Sequence, residues 1–150
     1  MKRFVAFFSL PASDRALLVE ALAAVLLFRL ALPLFSIDRL RAWSARLEAN
    51  TVPSIDRVVW AAGAASRWTP GTTCLVSALA LQRMLSVRGR PSELHIGVAK
   101  LGQRFSAHAW LISEGRIVIG EQGEEQHTPL TSWRSEGAAD RSAAGGISQG

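Results

Sequence analysis

The sequence contains a single cysteine, at position 74, among its 150 residues. One thiol cannot form a disulfide within the chain, so a secreted fold held together by disulfides is excluded. We therefore expect a reducing compartment such as the cytoplasm. The cysteine and the three histidines also lack the spacing of zinc ligands, and we expect neither a metal nor another cofactor.

Acidic residues are fewer than basic ones, 12 against 17, and the excess is almost entirely arginine. A basic surface suits anionic partners such as nucleic acid, a membrane surface or an acidic peptide. Aromatic and basic residues do not interleave here as they do in RNA-binding modules. The composition therefore predicts no nucleic-acid partner.

No apolar run is long enough to predict a transmembrane helix. The most apolar stretch, residues 16–28, contains Glu20 and is followed by Arg29, whereas a span needs about 20 uninterrupted apolar residues. Asp14, Arg15 and Glu20 also argue against a signal peptide. We predict an amphipathic helix packed on the core, and a helix at a membrane surface is the alternative.

The composition is globular, with 49% apolar and 19% charged residues, and the length suits one domain. We place that domain at residues 1–133, with a helical part over 9–50, and predict a disordered tail over 134–150. Ser13–Asp14 is an N-cap signal, and helical periodicity predicts helices that begin there and near Ser36, Ile55 and Thr73.

Extended patterning follows the helices and predicts an antiparallel sheet. The predicted strands are residues 94–98, 105–112 and 116–119, and Glu114–Gly115 is a hairpin turn between the last two. Helices that precede an antiparallel sheet predict an α+β fold.

Cys74 follows a turn at Pro70–Gly71 and lies in the first turn of the fourth predicted helix. A thiol attacks a carbonyl only as thiolate, and the free N–H groups and dipole of a helix N-terminus stabilise an anion. The same N–H groups can hold the oxyanion of an acyl intermediate. The position therefore suits acyl transfer; the alternative is a small apolar residue that begins a core helix.

A nucleophilic thiol needs a histidine as general base. His108 lies in the second predicted strand among apolar neighbours, where a polar ring requires partners. His95, in the first strand, is predicted to be structural or exposed at a sheet edge, and His127 is predicted to lie in a polar loop. The upstream helix start at Cys74 favours His108 as the base.

The third member of a catalytic triad orients the histidine. With a two-residue turn at Glu114–Gly115, His108 lies opposite Glu121, whose carboxylate then holds the imidazole. With a three-residue turn, Gly120 faces His108 and Glu121 points to the other side. The pattern leaves two alternatives for Glu121, an orienting carboxylate and a surface residue at a strand end.

Three segments of the chain resemble the transglutaminase-like cysteine peptidases of lasso-peptide biosynthesis. The segments are CLVSALALQRML, RGRPSELHIGV and FSAHAWLISEGRIVIG, and the start LPASDRALLVEALAAVLLFRLAL is similar to the N-terminal helices of that family. Together they cover about residues 9–130. The resemblance implies a papain-like or transglutaminase-like fold, with Cys74 as nucleophile and His108 as general base.

The resemblance also implies a reaction and its partners. Such a peptidase removes the leader peptide from a ribosomally made precursor, and a separate ATP-dependent cyclase then closes the core peptide into a macrolactam. Short members of the family work with a separate leader-recognition protein. Where the family often has an aspartate, this chain has Gly120–Glu121. Either Glu121 substitutes for it or a backbone or amide group orients His108, with Gln122 as a further candidate.

Two other functions fit the same residues. Cysteine, histidine and an acid do not by themselves choose water over an amine as acceptor, so a transglutaminase-like acyl transferase is one alternative. A non-catalytic peptide-binding module, with Cys74 buried in its helix, is the other. For the oxyanion hole, the N–H of Cys74 is the first donor; Trp60 and Trp68 are candidates for the second, although core packing is preferred for both.

Overall fold

The chain begins with helices and ends with strands. The computed structural model describes residues 8–46, 54–101, 104–120 and 128–134. The elements within these ranges are α1 Ala12–Ala31, α2 Ile37–Ser44, α3 Ile55–Trp68, α4 Cys74–Ser86, β1 Ser92–Leu101, β2 Arg104–Ser113, β3 Arg116–Ile119 and β4 Thr128–Arg134. This order confirms the predicted α+β fold.

The helices agree closely with the prediction, but one predicted cap is wrong. α1 begins directly after Pro11, so Ser13 and Asp14 lie inside its first turn instead of preceding it. Thr73 does cap α4, because its hydroxyl accepts a hydrogen bond from the N–H of Val76 at 3.3 Å. The helix that carries Cys74 therefore has a defined beginning.

α4 lies at the centre of the fold, between the other helices and the sheet. Its buried residues occupy every side of the helix: Val76, Ser77, Ala78, Leu79, Ala80, Leu81, Gln82, Met84, Leu85 and Ser86. A helix that is apolar all round is stable only when neighbours cover each face. α1, α2 and α3 pack on it from one side and β1 and β2 from the other. Cys74 is thus the first residue of a helix that is anchored in the core of the molecule.

A buried hydrogen bond ties α2 to α4. Ser44 Oγ donates to Oε1 of Gln82 at 2.7 Å, and both residues are fully buried. A buried polar group that loses its partner costs about 1–3 kcal/mol, so the pairing favours one arrangement of the two helices. The bond holds the second half of α4 in place behind the N-terminus that carries Cys74.

The outward face of α1 is apolar as well as the inward face. Its buried residues are Leu17, Leu18, Ala21, Val25 and Phe28. Four apolar residues of the outward face are instead between 46% and 67% exposed: Val19, Leu26, Leu27 and Leu30. Packing of α1 on the core is confirmed for the inward face. None of the helices in the described ranges combines the length and apolarity that a bilayer crossing needs.

The strands form an antiparallel sheet in the order β3-β2-β1-β4. β1 and β2 pair along their whole length, from Ser92 with Ser113 to Leu101 with Arg104. β4 was not predicted, because Pro129 interrupts the pattern of a strand in its sequence. An edge strand tolerates proline, since one side of it needs no N–H donor.

The addition of β4 changes the environment of His95. β1 pairs with β2 on one side and with β4 on the other, so it is not an edge strand. The prediction that His95 is exposed at a sheet edge is therefore wrong. The other alternative, a structural role for its side chain, agrees with its position. Its ring stacks on Trp110, its partner across the ladder, with the ring centroids 5.6 Å apart.

The turn between β2 and β3 is the predicted two-residue turn. Glu114 and Gly115 have φ angles of 52° and 74°, both in the left-handed region. Two central residues with positive φ define a type I′ turn, whose twist matches that of the flanking strands. Ser113 pairs with Arg116, which confirms the predicted register at the turn.

A β-bulge follows this turn and shifts the register by one residue. Leu111 pairs with Ile119, one position beyond the partner that an unbroken register would provide. The continuous register that the sequence predicted therefore ends before it reaches His108. Glu121 lies outside the described residues, so its orientation toward His108 stays a prediction.

Three other predictions also concern residues outside the described ranges. They are the candidate role of Gln122, the loop position of His127 and most of the tail predicted from residue 134. Arg134 itself is the last residue of β4.

Candidate active site

A tight turn leads the chain from α3 directly into α4. Gly71 has a φ of 75°, and the N–H of Thr72 donates to the carbonyl of Thr69 at 3.3 Å. Proline in the second position, here Pro70, and a positive φ in the third are the signature of a type II turn. The local sequence therefore ends α3 and begins α4 at Cys74.

Cys74 is the first residue of α4, and this confirms its predicted place at a helix N-terminus. The carbonyl of Thr73 accepts from the N–H of Ser77 at 3.1 Å, and its hydroxyl accepts from Val76. By the geometry of a helix start, the N–H groups of Cys74 and Leu75 have no acceptor inside the helix. They point toward the space in front of the helix, where its dipole favours negative charge.

Cys74 lines a cavity of about 250 Å³ between the helices and the end of the sheet. The cavity is lined by Gly63, Ser66 and Arg67 of α3, Cys74 and Ser77 of α4, Ala109 of β2, and Ile119 and Gly120 at the end of β3. The N-terminus of α4, the thiol of Cys74 and the side chain of Arg67 therefore line the same cavity. A thiol beside N–H groups that lack an intrahelical acceptor is an arrangement that can attack a carbonyl and stabilise the resulting oxyanion.

His108 lies next to the cavity wall but on the other face of the sheet. Ala109 lines the cavity and belongs to the core, and successive side chains of a strand point to opposite faces. The ring of His108 shares its face with Trp110, on which it stacks with centroids 6.5 Å apart. The structure thus places Cys74 at the cavity and the imidazole of His108 behind its wall.

A hydrogen bond connects His108 to that wall. Its Nε2–H donates to the carbonyl oxygen of Gly120 at 3.1 Å, and Gly120 lines the cavity together with Cys74. A carbonyl oxygen only accepts, so this bond places the proton on Nε2 and leaves Nδ1 as the nitrogen that can take one up. A backbone group that orients His108 was one of the two alternatives from the sequence, and the Gly120 carbonyl has the geometry for it.

Position 120 requires glycine. Gly120 has a φ of 86°, and a Cβ there would lie 2.7 Å from the carbonyl oxygen of Ala109 and 2.8 Å from the Cβ of Trp110. Without a side chain, the end of β3 approaches β2 closely enough for its carbonyl to meet the imidazole. Glycine thus makes possible the bond that orients His108.

We expect Gly120→Ala to lower the free energy of unfolding by about 2–4 kcal/mol, because it adds steric overlap to an unfavourable positive φ. Gly115→Ala is the matched control: φ is 74° there, but a Cβ would meet nothing within 4 Å. The control should lose about 1 kcal/mol. Urea unfolding of both variants measures the difference, and equal losses would show that the close approach of β3 to β2 does not matter.

Neither predicted tryptophan lines the cavity. Trp60 is 41% exposed and is not among the buried residues of α3, so the preferred interpretation of core packing is wrong for it. Trp68 is half-buried at the end of the same helix. Neither tryptophan is therefore placed to donate to an oxyanion in the cavity.

Ser66 and Arg67 line the cavity and were not predicted. They lie in the last turn of α3, in the segment ASRW, which carries no motif. Their distance from Cys74 depends on how α3 packs on α4 and on the length of the turn between them. Only their place just before the Pro70–Gly71 turn could have suggested them.

One comparison with known families gives a match. The family model described as the transglutaminase-like superfamily matches residues 17–132. The matched range contains Cys74, His108 and every residue that lines the cavity. No curated protein and no solved structure matches the chain.

Proposed function

We propose that this chain, which belongs to the transglutaminase-like superfamily, is a cysteine peptidase that removes the leader peptide from a lasso-peptide precursor. The superfamily fits a cysteine protease or an acyltransferase. One observation carries the proposal: Cys74, at the start of α4, lines a cavity together with Gly120, whose carbonyl holds His108. The three segments shared with lasso-peptide leader peptidases support the choice of substrate.

In the proposed reaction, Sγ of Cys74 forms a bond to the scissile carbonyl carbon, and the carbonyl oxygen becomes an oxyanion. His108 takes the thiol proton on Nδ1 and gives it to the departing amine as the C–N bond breaks. Water then attacks the acyl-enzyme, with His108 again accepting a proton. The thiol is restored and the leader leaves with a new carboxylate.

The beginning of α4 supplies the first stabilisation of the oxyanion. The N–H groups of Cys74 and Leu75 lie at the helix start without an intrahelical acceptor. A preorganised donor of this kind contributes about 2.7–4 kcal/mol to transition-state stabilisation in enzymes where it has been removed. The backbone of α4 thus acts together with the thiol that it carries.

Proton transfer requires the imidazole and the thiol to meet. In the proposed mechanism, the two groups approach each other at Gly120, which lines the cavity with Cys74 and accepts the hydrogen bond from His108. Catalytic hydrogen bonds are often long in an unliganded enzyme and tighten when the substrate binds.

Mass spectrometry of reactions with the precursor peptide tests the function. The purified chain is incubated with the precursor and its separate leader-recognition protein, with and without an added primary amine. A peptidase produces two fragments whose masses sum to those of the precursor and one water. An acyl transferase produces an adduct in which the amine replaces water. A precursor that stays intact under all conditions would support the non-catalytic binding module and contradict the proposal.

Glu121 is the proposed carboxylate that assists Gly120 in orienting His108. We expect Glu121→Ala to lower kcat/KM by about tenfold, the equivalent of one hydrogen bond of about 1.4 kcal/mol. Glu114→Ala is the control, because Glu114 pairs with Arg90 at an exposed turn. Equal activities of the two variants, measured by the rate of precursor cleavage, would show that the orienting role belongs elsewhere.

The proposed partners follow from the reaction. The leader-recognition protein presents the precursor, and the ATP-dependent cyclase uses the N-terminal amine that cleavage exposes on the core peptide. The proposed location is the cytoplasm, where a single thiol stays reduced.

A further inference from the structure

Arg67 lines the cavity beside Cys74 and has no charged partner in the described part of the chain. Its guanidinium lies over Gly63, where a Cβ would be 3.5 Å from Nη1. Several other arginines bind carboxylates instead: Arg57, Arg88, Arg90 and Arg116. Arg67 makes no hydrogen bond or ion pair with a described residue.

Ser66, the neighbour of Arg67, contributes a second group in need of an acceptor. Its Oγ is buried and has no hydrogen-bond partner, although Ser66 lines the same cavity. A buried hydroxyl in this state costs about 1–3 kcal/mol, and a ligand that accepts its proton removes that cost. The same cavity thus contains a hydroxyl and a guanidinium that both lack an acceptor among the described residues.

Among the described residues that line the cavity, the only charged side chain is positive, that of Arg67. None of the described residues that line it is a carboxylate, and apart from Arg67 their side chains are small or apolar. The N-terminus of α4 adds its positive dipole end to the charge of Arg67. The site therefore favours an anion whose oxygens can accept two hydrogen bonds from a guanidinium, as a carboxylate does.

We propose that Arg67 and Ser66 form a subsite for a carboxylate, so that the peptide processed at Cys74 carries an aspartate or glutamate next to the scissile bond. That this carboxylate belongs to a peptide rests on the proposed function. Removal of a leader leaves chain on both sides of the cut, so the carboxylate is a side chain and not a terminus. Arg67 thereby acts as a specificity-determining residue.

Alkylation of Cys74 tests the subsite with two small probes. Iodoacetate and iodoacetamide react by the same displacement, in which Sγ bonds to the methylene carbon and iodide leaves, but only iodoacetate carries a negative charge. Cys74 is the only cysteine of the chain, so the mass of the intact protein reports this thiol alone. The ratio of the two rates cancels any change in the intrinsic reactivity of the thiol.

We expect Arg67→Gln to lower the iodoacetate-to-iodoacetamide rate ratio by about threefold, the effect of one partly solvated charge near the thiol. Arg39→Gln is the matched control, because it removes an exposed arginine that does not line the cavity. The control should keep the wild-type ratio, and added salt should weaken the difference. A ratio that is the same in all three proteins overturns the subsite.

Peptide cleavage distinguishes this proposal from the proposed function. Replacing the acidic residue next to the cut by its amide should lower kcat/KM for the wild type by about threefold and have no effect on Arg67→Gln. If the alkylation ratio shifts but no precursor is cleaved, the carboxylate subsite holds and the peptidase proposal fails. If cleavage occurs without any dependence on the acid, the assignment of the subsite to substrate recognition is wrong.

Discussion

Cys74→Ala is expected to abolish precursor cleavage, with a loss of at least about 10³-fold in kcat/KM, because no other thiol in the chain can form the acyl-enzyme. The fold should persist, since the side chain is only half-buried and alanine suits the first turn of a helix. Chromatography of the reaction products measures the activity, and thermal unfolding checks the fold.

Ser77→Ala is the matched control for this variant. Ser77 lines the same cavity one turn further along α4, and its hydroxyl donates to the carbonyl of Thr73 at 3.2 Å. Loss of the Ser77 hydroxyl removes a local hydrogen bond but no group of the proposed reaction, so kcat/KM should fall by no more than about tenfold. Cleavage retained by purified Cys74→Ala would mean that another group attacks the peptide bond.

His108→Ala is expected to lower kcat/KM by about 10²–10⁴-fold, the usual contribution of a general base. The rate of precursor cleavage measures the loss. It tests directly whether a ring that lies behind the cavity wall in the structure takes part in the proton transfer.

His95→Ala separates catalysis from packing in this experiment. His95 and His108 both stack on Trp110, with centroids 5.6 Å and 6.5 Å away, so each alanine variant removes one ring from the same stack. Only His108 bonds to the carbonyl of Gly120 at the cavity wall. If the two variants lose equal activity, both histidines merely support Trp110 and the assignment of His108 as base fails.

The place of Cys74 was predictable because the features that determine it are local. Pro70 and Gly71 specify a turn. Thr73 caps the helix by accepting a hydrogen bond from the N–H of Val76, only three residues further along the chain. The I′ turn at Glu114–Gly115 was predictable for the same reason. Backbone preferences of this kind depend on a few adjacent residues.

The surroundings of His108 were not predictable from the hairpin alone. The register holds at the turn, but the bulge after it moves Ile119 opposite Leu111. A single extra residue in one strand costs little free energy locally. Its position depends on which elements pack on the sheet, so a short sequence pattern does not predict it. The close approach of Gly120 to β2 is part of the same arrangement, and it brings a backbone carbonyl to the imidazole of His108.

The sequence by itself determined the helices and the first three strands, the helix start at Cys74 and the strand position of His108, because periodicity and turn chemistry act over short distances. The tertiary structure decided which groups share the cavity. Ser66 and Arg67 come beside Cys74 through the packing of α3 on α4, and His108 faces away from it through strand alternation. Contacts between distant segments depend on how whole elements pack, and no short pattern of residues encodes them.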